Sequence, residues 1–234
     1  SGGAVTLLGD LAQGTRPWSP YSWETVIEAL ELSGVRYGEL RLNYRVPEPI
    51  AAYADTILRR IDVVSAPVRH LRTGAPVAWE ELADWADSSR SAADRLRRCL
   101  DDVEGSVGLI APSRHHGWLE AALRDANEDL RSRVTLLDPG EAKGLEYDNV
   151  ILVDPDAVER LPRGERLLYV AATRATKRLF MVTNRREEDP VGDSTDDSRD
   201  EVPALSGDAL AAVHHRGTHI KIIAAAGSGK TEVV

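Results

Sequence analysis

Short apolar runs alternate with longer segments of helical spacing along most of the chain. The runs at 107–112, 134–139 and 149–155 contain β-branched residues and end at a proline, as buried parallel strands often do. The runs at 4–10 and 177–184 are also short and apolar. These five runs predict the strands of a sheet.

Amphipathic segments lie between the predicted strands. Apolar residues at 23–34 recur on one helical face before a closing glycine, and a proline in the first turn opens a helix at 47–61. A serine cap precedes another helix at 88–103, whereas 38–45 has the pattern of a strand. Because strands and helices alternate at this spacing, we predict an α/β fold with a mostly parallel sheet and helices on both faces.

Length and composition are those of a globular protein. The 234 residues are 42% hydrophobic and 29% charged, which excludes collagen-like, low-complexity and wholly disordered chains. No apolar run approaches the roughly 18 residues that a membrane helix requires. Cys99 is the only cysteine and is predicted to be a half-buried structural thiol. We therefore expect a cytoplasmic protein with no membrane contact.

Acidic residues are concentrated in one segment of the chain. Residues 187–201 hold eight acids and one arginine, so they carry −7 of the net charge of −9 and the other residues together carry −2. Because the segment has no apolar periodicity, we predict a solvated linker there. The nearly neutral remainder excludes neither nucleic acid nor protein as a partner.

A glycine-rich segment near the C-terminus carries the most specific local motif. AAAGSGKT (224–231) follows a predicted strand at 219–224 and has the pattern of a phosphate loop, apart from alanine in the first position. In such a loop the backbone N–H groups surround the phosphates, the lysine reaches the β- and γ-phosphate oxygens, and the threonine binds Mg²⁺. The alternative is a glycine-rich turn without a ligand. The residues predicted to bind ATP are Gly227, Ser228, Gly229, Lys230 and Thr231, with Thr231 also binding Mg²⁺.

Five segments spread over the chain form a set. They are GDLAQ (9–13), NYR (43–45), AKGLEYDNVIL (142–152), LLYVAATRATKRL (167–179) and AAAGSGKT (224–231). Together they resemble motifs of superfamily 1 helicases of the UvrD and Rep type, in which alanine at the first position of the loop is common. The surroundings of GDLAQ, NYR and AKGLEYD look closest to HelD-like proteins, some of which bind RNA polymerase. The resemblance implies a P-loop NTPase with RecA-like lobes that bind ATP and Mg²⁺ between them.

The resemblance also implies a division of the chain. Residues 1–190 are expected to form mainly the second RecA-like lobe, with the last strand of the first lobe at 1–18. Residues 206–234 are expected to be a fragment of the first lobe that carries the phosphate loop, after an acidic linker at 191–205. In the family the phosphate loop precedes the other motifs, so the order here is rearranged.

Two segments far apart in the sequence are thereby both assigned to the first lobe. One is TLLGD (6–10), which leads into GDLAQ, and the other is HIKIIAAA (219–226), which leads into the phosphate loop. In RecA-like sheets such strands can be neighbours. We therefore expect these two segments to pair with each other.

The resemblance implies roles for individual residues. Gln13 would sense the γ-phosphate and align the attacking water, and Arg45 would contact the same phosphate. Tyr44 would stack on the adenine, and Glu146 would accept a hydrogen bond from the ribose. Arg174, expected to be exposed, would be an arginine finger that stabilises charge on the transferring phosphoryl group. Taken one at a time, Tyr44 is equally explained as a core residue and Arg174 as a surface arginine.

The resemblance also bears on contact with nucleic acid. Trp18 occupies the position where UvrD-type motors place an aromatic residue that stacks on single-stranded bases. The alternative is a packed loop tryptophan, as is also expected for Trp23. UvrD-type motors carry Thr-His before the Lys-Gly of the fifth motif, where this chain has Pro139 and Gly140. The chain therefore departs from the family pattern at a position that contacts nucleic acid in UvrD-type motors.

Two groups of histidines are weaker candidates for function. His214, His215 and His219 lie close in sequence but lack cysteine or acidic partners at ligand spacing, so a solvated helix end is favoured over a metal site. His115 and His116 follow a predicted strand and are expected on the surface at the start of a helix.

These features predict part of an ATP-dependent DNA helicase or translocase motor that acts on single-stranded or partly duplex DNA. One alternative is a HelD-like factor that remodels RNA polymerase, and another is a non-catalytic module that binds a nucleotide or a partner. The family's Asp-Glu pair, which holds magnesium and activates water, is not found ahead of GDLAQ. We therefore expect no significant ATP hydrolysis by this chain.

Overall fold

A computed structural model of the protein describes residues 5–61, 68–81, 99–100, 103–124, 126, 128–183 and 220–224. The strands within these residues are β1 (Thr6–Gly9), β2 (Arg36–Leu40), β3 (Leu42–Asn43), β4 (Arg69–His70), β5 (Ala78–Glu81), β6 (Val107–Ile110), β7 (Val134–Leu137), β8 (Tyr147–Val153), β9 (Ala175–Thr183) and β10 (Ile220–Ala224). The helices are α1 (Trp23–Ala29), α2 (Glu48–Leu58), α3 (His116–Arg124), α4 (Glu128–Arg133), α5 (Pro155–Glu159) and α6 (Gly164–Ala172), and Cys99 and Leu100 are also helical.

The main sheet has five strands in the order β5-β9-β8-β6-β7, and all of their pairings are parallel. Side chains of β8 alternate between two apolar cores, because successive residues of a strand point to opposite faces. Val150 and Leu152 pack in the core that holds α2 and α6, whereas Ile151 and Val153 pack in the core that holds α3. The predicted α/β fold, with a parallel sheet and helices on both faces, is confirmed.

Helix α2 shows how the sequence covers one face of this sheet. The helix begins directly after Pro47, whose fixed φ suits the start of a helix. Ile50, Ala54 and Ile57 recur at helical spacing and are all buried. Complete burial of an isoleucine contributes about 1.5–3 kcal/mol of transfer free energy. The buried face of α2 therefore contributes enough free energy to hold the helix against the sheet.

A second sheet joins the two ends of the described chain. Its order is β1-β10-β2, with β10 parallel to both neighbours. Ile223 of β10 lies opposite Gly9 of β1, and Ala224 lies opposite Leu40 of β2. The expected pairing of TLLGD with HIKIIAAA is confirmed, and the carboxyl ends of the three strands lie at one edge of the sheet.

Two elements differ from their predicted bounds. The strand predicted at 38–45 is divided into β2 and β3, because the chain leaves the three-stranded sheet after Leu40 and β3 pairs with β4 instead. The helix predicted at 23–34 ends at Ala29, since Glu31 adopts a left-handed conformation with φ of 51°. Most of the helix predicted at 88–103 and all of the linker at 191–205 lie outside the described residues.

Cys99 is buried, more completely than the half-buried position predicted for it. None of the helices in the described part of the chain has the length and apolar character needed to cross a bilayer. The division of the chain into a second lobe and a fragment of a first lobe stays a prediction.

Candidate functional site

Arg45 and Glu146 form an ion pair between two distant parts of the sequence. Arg45 follows β3, where the side-chain oxygen of Asn43 accepts hydrogen bonds from the backbone N–H groups of Arg45 at 3.1 Å and Val46 at 3.0 Å. Glu146 immediately precedes β8. The asparagine therefore fixes the turn that directs Arg45 toward the start of the central strand.

Arg174 lies just after α6 and is 3% exposed. Its Nε donates to the carbonyl of Val170 at 2.9 Å, Nη1 donates to the carbonyl of Leu145 at 3.2 Å, and Nη2 donates to Oγ1 of Thr173 at 3.2 Å. The prediction that Arg174 is exposed is therefore wrong, because the last turn of α6 and the segment before β8 enclose its guanidinium group.

The two arginines share one electrostatic environment. Burial, and after it the neighbouring positive charge of Arg45, lower the pKa of Arg174 to about 10, and the charge of Glu146 acts in the opposite direction. The guanidinium remains charged at neutral pH. Arg45, Glu146 and Arg174, which we call the guanidinium cluster, thus combine two positive charges with one carboxylate.

The segment GDLAQ reaches the same region. Asp10 caps the short 3₁₀ turn Leu11–Gln13 by accepting from the N–H of Ala12 at 2.9 Å, and it also accepts from Nε2 of Gln13 at 2.8 Å. Arg166 of α6 donates to the carbonyl of Leu11. The GDLAQ segment therefore packs on α6, the helix that leads into Arg174.

Tyr44 lies beside Arg45 and is 37% exposed, so the alternative that it is a core residue is wrong. The residues predicted to bind phosphate, Gly227, Ser228, Gly229, Lys230 and Thr231, lie outside the described residues. Ala224, at the end of β10, is the last residue described before them.

The guanidinium cluster fits an anionic ligand. Nε of Arg45 is buried and has no hydrogen-bond partner among the residues that the structure describes, which is costly unless a ligand supplies an acceptor. Two adjacent guanidinium groups are also a frequent arrangement for phosphate recognition. The described residues do not offer a comparable site for a metal ion. They contain no group of three or more His, Cys, Asp or Glu side chains able to hold one.

Residues 14–21 form a loop that presents aromatic side chains. Trp18 is 79% exposed and Tyr21 is 70% exposed, whereas Trp23 is 7% exposed. The packed-tryptophan alternative is therefore wrong for Trp18 and correct for Trp23. Arg163 donates to three carbonyls of this loop and lies over the ring of Tyr21. Sequence reasoning missed Arg163, because nothing in its local sequence indicates a contact with a loop about 145 residues earlier.

The turn at Pro139 and Gly140 is closed by its own side chains. Asp138 accepts from the N–H of Gly140 at 3.2 Å, and Glu141 accepts from the N–H of Asp138 at 2.9 Å. Ser113, after β6, donates to Asp138 at 2.8 Å. The turn therefore carries two acidic residues that are already engaged in local hydrogen bonds. This arrangement does not favour a DNA contact there.

A second cluster of charged residues links the ends of β6 and β8. Asp154 is buried, accepts a hydrogen bond from Arg114 and lies 2.8 Å from Nε2 of His115. Burial alone would raise the pKa of Asp154, but the hydrogen bonds from His115 and Arg114 outweigh it and lower the pKa. The expected surface position of His115 is wrong, because this carboxylate gives the buried imidazole a partner. Asp154 also caps α5 through the N–H of Ala157, which indicates a structural role.

Comparison with known proteins relates part of the chain to a helicase family. Residues 137–182 match the family model of the UvrD-like helicase C-terminal domain. This segment includes Glu146 and Arg174, and the match confirms the predicted resemblance for this part of the chain. A search of curated proteins gives no match.

Solved structures with some likeness to the chain are more distant. One is the C-terminal domain of a possible DNA helicase from Lactobacillus plantarum WCFS1, with 21% identity, a TM-score of 0.41, and coverage of 60% of this chain and 86% of that chain. Another is the glycopeptide N-methyltransferase MtfA, with 16% identity, a TM-score of 0.24, and coverage of 51% and 54%. Both TM-scores are too low to establish a shared fold.

Proposed function

We propose that the chain is part of an ATP-dependent DNA helicase or translocase motor in which ATP binds between two RecA-like lobes. The observation that carries this proposal is the guanidinium cluster, which joins Arg45, Glu146 and Arg174 from three separate segments. Two of these residues lie in the segment that matches the UvrD-like helicase C-terminal domain. A buried guanidinium nitrogen without a partner is the feature that most directly favours a bound anion.

The three-stranded sheet supports a phosphate loop at the same place. Because β10 is parallel to β1 and β2, the chain leaves Ala224 at the edge from which Asp10 and the segment after Leu40 also begin. Asp10 bonds Gln13, and the segment after Leu40 leads through β3 to Tyr44 and Arg45. The end of β10 at Ala224, after which the phosphate-loop motif follows in the sequence, therefore shares a sheet edge with the ends of β1 and β2.

The two arginines are suited to different tasks. Arg174 uses three of its five N–H groups on the protein, so its position is fixed and two N–H groups remain for a phosphate. Arg45 uses one group on Glu146 and has an orphaned Nε, so it can exchange the carboxylate for a phosphate. Such an exchange releases Glu146 to accept from the ribose hydroxyl, while Tyr44 stacks on the adenine and Gln13 aligns a water molecule.

Magnesium would be held through Thr231 and would neutralise charge on the bound phosphates. The described residues contain no group of three or more His, Cys, Asp or Glu side chains that could hold the ion by themselves. Binding of RNA polymerase, the alternative left open by the sequence, is favoured by no specific contact among these residues and stays a prediction. The same is true of a non-catalytic nucleotide- or partner-binding role.

Arg45→Ala is expected to weaken ATP binding by at least about tenfold, because it removes a charge-assisted contact with the phosphates worth about 1.5–3 kcal/mol. The measurement is a fluorescence titration with an ATP analogue. Arg41→Ala is the matched control, since Arg41 is an exposed arginine nearby whose side chain pairs with Glu39 at 3.1 Å. Its affinity should stay within about twofold of the wild type. Equal affinities for the wild type and Arg45→Ala would remove the main support for the proposal.

A further inference from the structure

The loop at residues 14–21 holds two exposed aromatic rings close together in sequence. Trp18 and Tyr21 are 79% and 70% exposed, whereas Trp23, the first residue of α1, is buried. Large aromatic side chains are usually at least half covered in a folded protein, so two exposed ones in one short loop indicate a surface that contacts something else. The sequence pointed to Trp18 alone.

Arg163 determines the position of this loop. Its Nη1 donates to the carbonyl of Gly14 at 2.7 Å, and its Nη2 donates to the carbonyls of Pro17 at 3.2 Å and Ser19 at 3.1 Å. The carbon atom at the centre of its guanidinium lies 4.5 Å from the centre of the Tyr21 ring. The guanidinium therefore spans the loop on both sides of Trp18 and supports the tyrosine ring from one side.

We propose that Tyr21, supported by Arg163, is a second base-stacking position for single-stranded nucleic acid beside Trp18. This inference rests on the proposed function, because it adds a contact to the same nucleic-acid surface. The hydrogen-bond acceptors of Arg163 are uncharged carbonyls, so they leave its positive charge uncancelled near the loop. An aromatic ring beside an arginine is the combination that stacks bases and attracts the phosphate backbone at once.

The role of Arg163 is to position the loop. A lysine cannot reproduce three hydrogen bonds to carbonyls together with a planar contact to a ring. Helix α6 begins at Gly164 and ends at Ala172, two residues before Arg174. Arg163 thus connects the aromatic loop to the same helix whose other end leads into the guanidinium cluster.

The test is fluorescence anisotropy with a labelled oligo-dT single strand over a range of salt concentrations. Tyr21→Ala is expected to bind about tenfold more weakly, since stacking on one base contributes about 1–3 kcal/mol. Tyr21→Phe, which keeps the ring, is expected to stay within about twofold of the wild type. The salt dependence should be the same for all three proteins, because stacking does not change the number of phosphate contacts. Tyr37→Ala, at another exposed tyrosine, is the matched control.

Arg163→Lys and Arg163→Gln are expected to lose as much affinity as Tyr21→Ala, with unchanged circular dichroism in the far ultraviolet. Weak binding by Trp18→Ala together with wild-type binding by Tyr21→Ala would overturn the inference and leave the proposed function standing. Equal losses in Tyr21→Phe and Tyr21→Ala would also overturn it, because they would assign the effect to the hydroxyl group. A wild-type chain that binds no oligo-dT but captures a protein partner through Tyr21 would overturn both the inference and the nucleic-acid part of the proposed function.

Discussion

Arg174→Ala is expected to lower the free energy of unfolding by about 3 kcal/mol. The substitution removes a buried guanidinium and leaves the carbonyls of Val170 and Leu145 without this donor. The Val170 carbonyl still accepts from Oγ1 of Thr173 at 3.1 Å, whereas the Leu145 carbonyl loses its donor, which costs about 1–3 kcal/mol. The lost side chain also leaves a cavity between α6 and the segment before β8. Urea denaturation followed by circular dichroism measures the change.

The control for this prediction is Arg16→Ala, an arginine that is exposed in the same protein. Its effect should be within about 0.5 kcal/mol of zero. Arg174→Lys should recover part of the stability but not all of it, because an ammonium cannot reach the three acceptors that the planar guanidinium reaches. A loss below about 1 kcal/mol in Arg174→Ala would contradict the enclosed position of this side chain.

Gly164→Ala is expected to destabilise the protein by about 3 kcal/mol or more. A Cβ atom at this position would lie 2.1 Å from the carbonyl oxygen of Glu159 and 2.4 Å from that of Val158. Both are backbone atoms of α5, so the clash is relieved only if α5 and α6 move apart. Because α6 carries Arg166 and is preceded by Arg163, the displacement should also loosen the GDLAQ segment and the aromatic loop.

A second glycine provides the matched comparison by the same denaturation measurement. Gly117 lies in α3, and a Cβ atom there would meet no heavy atom within 4 Å. Gly117→Ala should therefore be neutral or stabilise the protein by up to about 1 kcal/mol, because alanine is the better helix former. Similar effects of the two substitutions would show that α5 and α6 are not in close backbone contact.

The sequence predicted the elements that have a clear local signal. The apolar runs that became β6 and the later parts of β8 and β9 are buried on both faces, so their composition reveals them without knowledge of their neighbours, and the partly buried edge strand β7 still has an apolar run of its own. The strand β5 was missed, because its sequence AWEE lacks an apolar run and it forms only by pairing with β9 at the sheet edge. The pairing of β1 with β10 was expected only from the family resemblance.

The environments of individual side chains were harder to predict. His115 was expected on the surface, since adjacent histidines at a helix start are usually solvated, but Asp154 provides a buried partner from 39 positions away. Arg174 was expected to be exposed, and its carbonyl partners likewise come from tertiary packing rather than from local sequence. The motifs pointed to Arg45 and Glu146, which the structure joins in an ion pair, whereas the burial and hydrogen bonding of single side chains depended on contacts that only the fold supplies.

The most direct test of the central claim is to map where the nucleotide binds. Photolabelling with 8-azido-ATP, followed by mass spectrometry of the peptides, identifies the residue next to the adenine. We expect the label on the peptide that contains Tyr44, its displacement by excess ATP, and its loss in Tyr44→Ala. A label confined to peptides distant from Tyr44, Arg45 and Glu146, or one that excess ATP does not displace, would contradict a nucleotide site at the guanidinium cluster.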